Sequence, residues 1–172
     1  MHLPLQAASV SAPAPQRKLS NFSALASISL ALTLSACATL PSDPPRLSYA
    51  TAASKGGLSV ALAGQPSRAQ IDQSRDLWTR AVVDAYGCGL NRGHVAEAGL
   101  IAAAELATMA TLTKGGGEAE RRSALTAYVL DMTALALSNP PRPDERRCAA
   151  LARWLPEVRA EGRAALERVR ER

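Results

Sequence analysis

The stretch from Ser67 to Gly87, SRAQIDQSRDLWTRAVVDAYG, decides the fold. Ser67 followed three residues later by Gln70 has the spacing of a capping box, in which each side chain serves the other residue's backbone N–H and opens a helix. Ile71, Leu77, Trp78, Ala81, Val82, Ala85 and Tyr86 then recur at three- and four-residue steps. That period lays one apolar stripe along an α-helix. Gly87 closes it, since glycine ends helices without the steric cost other residues meet there.

Working outward, three more helices are predicted. The second spans 94–113. It holds seven alanines and two charged residues, Glu97 and Glu105, so small side chains let neighbours approach and the helix reads as largely buried. Lys114 and Gly115-Gly116-Gly117 end it. The third spans 118–138. Glu118 and Glu120 suit the positive end of its dipole, and Leu125, Tyr128, Val129, Met132, Leu135 and Ala136 form its stripe. Asn139-Pro140-Pro141 stop it. The fourth begins after Asp144, a good N-cap, and runs to about 170. Val158, Ala165, Leu166 and Val169 share one side of its tail, and Gly162 weakens it. Pro156 is predicted to kink or split this helix, because its ring removes one hydrogen bond and crowds the preceding turn.

No run alternates apolar and polar residues long enough to make a strand. Short connections favour antiparallel neighbours. The fold class is therefore all-α: a small antiparallel bundle of about four helices over 67–172. A membrane hairpin of the second and third helices is the weaker alternative. It would bury Glu105 or Asp131 in lipid at a cost of about 3 kcal/mol each.

The segment 37–66 reads as a flexible tether. Pro41, Pro44 and Pro45 interrupt it early, 51–57 is small and Gly-bearing, and Leu58 to Ala63 is a short apolar piece that can dock on the domain. A coil of this length spans tens of Å. Before it, Arg17 and Lys18 precede a 13-residue apolar run, Phe22 to Leu34. That is too short for a spanning helix, which needs roughly 20 residues, and it suits the core of a signal peptide. Residues 1–16 carry neither lysine nor arginine, which predicts a translation start downstream of Met1, near Val10.

Leu34-Ser35-Ala36-Cys37 resembles the lipobox of bacterial lipoproteins. The resemblance covers 17–38 and names a processing route. It implies removal of residues 1–36, a diacylglyceryl group on the Cys37 thiol and an acyl chain such as palmitate on its amine. Two or three acyl chains hold a protein firmly on a bilayer, at roughly 0.8 kcal/mol per buried CH2. In a two-membrane envelope, Ala38 in place of an Asp implies the outer membrane, facing the periplasm.

Processing leaves two cysteines. Cys88 sits just past the first bundle helix and Cys148 in the first turns of the fourth. In an up-down-up-down bundle those positions share one rim. In the oxidising compartment that the lipobox implies, they are expected to form a disulfide. Two free buried thiols or a redox pair are the alternatives, although the C-x-x-C spacing of redox dithiols is absent.

Chemistry is sparsely written. The chain carries 20 basic and 15 acidic residues. The positive excess lies on the last helix, interleaved with acids, and only 3% of residues are aromatic. Nucleic acid is therefore not a predicted partner. No Cys/His set of metal-binding spacing occurs, no cofactor motif is found, and no catalytic residue is assigned. Glu105 and Asp131 read as solvated or paired with arginine. Asn91, Arg92 and His94 cluster at the rim that the two cysteines would rigidify. They are the candidate contact surface.

Three functions follow in order. The first is a lipid-anchored, non-enzymatic interaction domain that binds another envelope component, such as an envelope protein. The second is a binder of a small apolar ligand between the helices. The third is a cell-wall hydrolase.

Overall fold

The computed structural model describes residues 43–171. Cys37, the expected lipobox and residues 37–42 of the expected tether lie outside them. The described residues form six helices and no strand: α1 (Tyr49–Lys55), α2 (Gly57–Ala63), α3 (Arg68–Gly87), α4 (Arg92–Leu112), α5 (Glu118–Leu137) and α6 (Glu145–Arg170). The four long helices are those predicted, and the fold is all-α.

The helix starts follow local chemistry. The Ser67 hydroxyl accepts the Gln70 backbone N–H at 3.2 Å, and the Gln70 side-chain oxygen Oε1 accepts the Ser67 backbone N–H at 2.8 Å. This reciprocal pair makes the predicted capping box. Asn91 caps α4 by accepting the His94 N–H at 3.1 Å. Asp144 caps α6 by accepting the Arg147 N–H at 2.7 Å.

α4 is the centre of the domain and packs against α1, α3, α5 and α6. α5 lies against α3 and α4, and among the described residues it does not pack against α6. The bundle is therefore skewed, with α3 and α4 in the middle, α5 on one side, and α6 with α1 on the other. Trp78 and Trp154 meet in the core with ring centroids 5.9 Å apart, surrounded by Leu106, Leu151, Leu155 and Val158. α4 is the one described helix long and apolar enough to cross a membrane. Its place at the centre of the bundle makes it a core helix.

Three expectations change. First, residues 44–66 are not a free tether. The Pro45 carbonyl accepts the Trp154 indole N–H at 2.6 Å, Arg46 pairs with Glu157 at 2.7 Å, and Leu47 and Ala52 join the buried set. Gly56 separates α1 from α2, and the Pro66 carbonyl accepts the Thr113 hydroxyl at 2.7 Å. Pro44 and Pro45 lie in the short non-helical stretch that leads into α1, and together with α1 it forms a strap on the bundle.

Second, Pro156 does not split the last helix, which is one element of 26 residues. Pro156 and Ala152 are both exposed, so the lost hydrogen bond lies on the exposed side of the helix. Third, Gly162 is not a weak point but a point of contact. A Cβ there would stand 2.6 Å from Cδ1 and 2.7 Å from Cγ1 of Ile101. Only glycine lets α6 approach α4 this closely. Farther along, Leu166 and Val169 are exposed rather than on the packed side.

Candidate functional site

Two places in the domain hold polar groups in unusual settings. At the first, Glu105 on α4 is only 2% exposed. One carboxylate oxygen accepts the N–H groups of Ser48 (2.9 Å) and Tyr49 (2.8 Å), and the other accepts that of Ala50 (2.6 Å). These are the orphan donors at the start of α1, and Ser48 itself supplies no side-chain cap. The expectation that Glu105 is solvated or paired with arginine is thereby corrected. A buried carboxylate needs compensating donors, and backbone N–H groups at the positive end of a helix supply them as well as a guanidinium would. The role of Glu105 is structural. Asp131 does meet an arginine: its carboxylate accepts the Arg75 Nε–H at 2.6 Å.

The second place is an apolar groove between α3, α4 and α5, with a volume of about 850 Å3. Its floor is built from Val82, Val95, Gly99, Ala103, Tyr128 and Met132, and its walls from Tyr86, Leu100, Leu125, Val129 and Ala136. The sequence put the α5 stripe in the core. In the structure only Ala124 and Tyr128 of that helix are buried, while Val129 is 61% exposed. α4 is likewise less buried than its composition suggested, with Leu100 73% exposed. The cause is topological. α5 packs on α3 and α4 alone, so its stripe closes over them only in part. Gly99 and the alanines of α4 leave depth where larger side chains would have filled it.

The groove is nearly free of charge. Tyr128 sits in its floor with its hydroxyl donating to the Gly99 carbonyl at 3.4 Å, and burial pushes its phenol up to about 12. It stays neutral and its proton stays committed. Arg92 is the one charged residue in the lining. It stands over the Tyr86 ring at 5.3 Å, a cation–π contact.

Asn91, Arg92 and His94 do come together at one rim, but they divide their roles. Asn91 is committed to capping α4. His94 is exposed and takes part through its backbone. Arg92 alone reaches the groove. Cys88 and Cys148 meet at the same rim, with Sγ atoms 2.01 Å apart and Cα atoms 5.5 Å apart, the distances of a disulfide. The neighbouring Asp84–Arg147 ion pair at 3.0 Å also joins α3 to α6. The small residues of α4 allowed either a groove or tight packing, and periodicity could not decide between them, because it reports which face of a helix is apolar and not whether a neighbour covers it.

A smaller cleft of about 380 Å3 lies between α3, α4 and α5, lined by Arg68, Asp72, Arg75 and Glu120 among others. Its arginine Arg75 is held by Asp72 and Asp131. Among the described residues no group of three or more His, Cys, Asp or Glu side chains is placed to hold a metal ion. No protein-family model, no curated protein and no solved structure matches the chain.

Proposed function

We propose that this chain is a lipid-anchored envelope protein whose helical domain holds an apolar molecule in the groove between α3, α4 and α5. In this reading acylated Cys37 fixes the protein to the outer membrane on its periplasmic side. The observation that carries the ligand reading is the groove: about 850 Å3 of apolar space, within the 300–1,000 Å3 range of small-molecule sites. Wet apolar surface of this extent is costly to leave open.

Binding of a neutral fluorescent naphthylamine tests the groove. Emission should rise and saturate near one probe per chain, and Ala96→Trp, at an exposed lining position, should abolish the rise. Equal signals from both proteins would overturn the reading.

A protein partner in the envelope is the second reading. It is favoured by Leu130 and Leu137, which stand exposed on α5. Crosslinking in cells from Leu137 would capture that partner, and charge substitution at Leu130 and Leu137 should release it.

A further inference from the structure

We infer that the groove takes a single-chain amphiphile with a carboxylate head, a long-chain fatty acid, with the head held by Arg92 and the chain lying along α4 and α5. The inference rests on the ligand groove proposed above and adds the chemical class of the ligand.

The argument is one of charge and shape. Three acids on the helices that line the groove are taken by other arginines. Asp84 pairs with Arg147, Glu97 with Arg159 and Arg163, and Asp131 with Arg75. No carboxylate of a described residue pairs with Arg92. Its guanidinium is therefore an uncompensated cation at the end of an otherwise uncharged trough, steadied over the Tyr86 ring. A guanidinium presents a planar fork of donors that matches a carboxylate.

Three polar residues of the lining sit at that same end. α4 begins there with Arg92, α3 ends there with Tyr86, and Asn139 follows the end of α5. From this mouth the lining runs past Thr133 and Tyr128, whose hydroxyls donate to backbone carbonyls, to apolar Ala103 and Leu125, about 16 Å along α4 at 1.5 Å per residue. The lining offers one cation, which matches one carboxylate head. An elongated apolar body with an anion at one end is the chemistry complementary to this arrangement.

The test uses the chain from residue 37 onward with Cys37→Ser, exported so that Cys88 and Cys148 oxidise, and titrated in a calorimeter. Oleate and oleyl alcohol, which share one chain and differ in the head, are the probes. Oleate should bind about tenfold more tightly than the alcohol. Arg92→Gln should weaken oleate about tenfold and leave the alcohol unchanged, and Arg92→Lys should restore part of the loss. Ala96→Trp should abolish both.

If oleate and the alcohol bind equally and Arg92→Gln changes neither, the carboxylate inference falls while the groove reading stands. If neither probe binds, both fall. If the chain sediments as a dimer that Ala96→Trp dissociates and neither probe binds, the groove is an interface between copies and the inference is overturned.

Discussion

The Glu105 carboxylate accepts the Ala50 backbone N–H at 2.6 Å, so a side chain of the central helix caps the helix nearest the expected anchor. With the Ser48 and Tyr49 N–H groups, the contact makes Glu105 the clasp of the strap. Hydrogen bonds to charged groups contribute about 1.5–3 kcal/mol each, and a buried orphan donor costs a comparable amount. Glu105→Ala should therefore destabilise the domain by about 3 kcal/mol in denaturant unfolding. It should also speed amide exchange at 48–54 well before the core opens. Unchanged exchange there would show that the strap is held by other contacts.

The Cys88–Cys148 pair closes a loop with a sequence separation of 60. In the chain-entropy account a crosslink of that span stabilises by roughly 4 kcal/mol. Cys88→Ser with Cys148→Ser should lower the unfolding free energy by about that amount, and reductant should do the same to the wild type but not to the variant. Free thiols on both residues of exported protein, measured by mass after alkylation, would refute the bond.

Gly162 and Ile101 should behave as a coupled pair. Replacing glycine by alanine inside a helix usually gains about 1 kcal/mol, yet Gly162→Ala should lose about 1 kcal/mol because the new methyl meets Ile101, and overpacking costs 1–3 kcal/mol. In an Ile101→Ala background the same substitution should become stabilising. A double-mutant cycle measures the reversal, and additive effects would mean that α6 shifts away freely.

Glu97 should give stability a pH signature. Hydrogen bonds from Arg163 and then Arg159 lower its pKa from 4.5 to about 2. A carboxylate whose folded pKa lies below its unfolded one contributes stability that is present above the unfolded value and is lost as pH falls through the folded value. The gap in melting temperature between wild type and Glu97→Gln should therefore be constant above pH 4.5 and close between pH 4.5 and 2. Because Arg163 is exposed and Glu97 and Arg159 are only partly buried, added salt should narrow the gap at every pH.

Much of the fold was legible, and the reasons are local. Ser67 with Gln70, Asp144, and the glycines and prolines between helices each act within one turn of the chain, so sequence reports them directly. The shared rim of Cys88 and Cys148 follows from helix order alone. What sequence could not report depends on distant partners. Glu105 looks like a stray acid until α1 is laid over it, 55 residues away in sequence from Ala50. Gly162 looks like a flaw until Ile101 is opposite it. The stripe of α5 looks like core, because the pattern of Leu125, Val129 and Met132 is the same whether one helix or two face it. At the candidate site the rim residues were found, and a groove between helices stood as an alternative to tight packing, but its place between α3, α4 and α5 and its link to Arg92 were not legible.

The groove is the centre of this account, and native mass spectrometry of the exported Cys37→Ser chain tests it most directly. Protein purified without detergent should carry a bound acyl-chain species at one per chain, and that species should be absent from Ala96→Trp. An apo mass for the wild type, with exogenous oleate failing to add to it, would contradict the account.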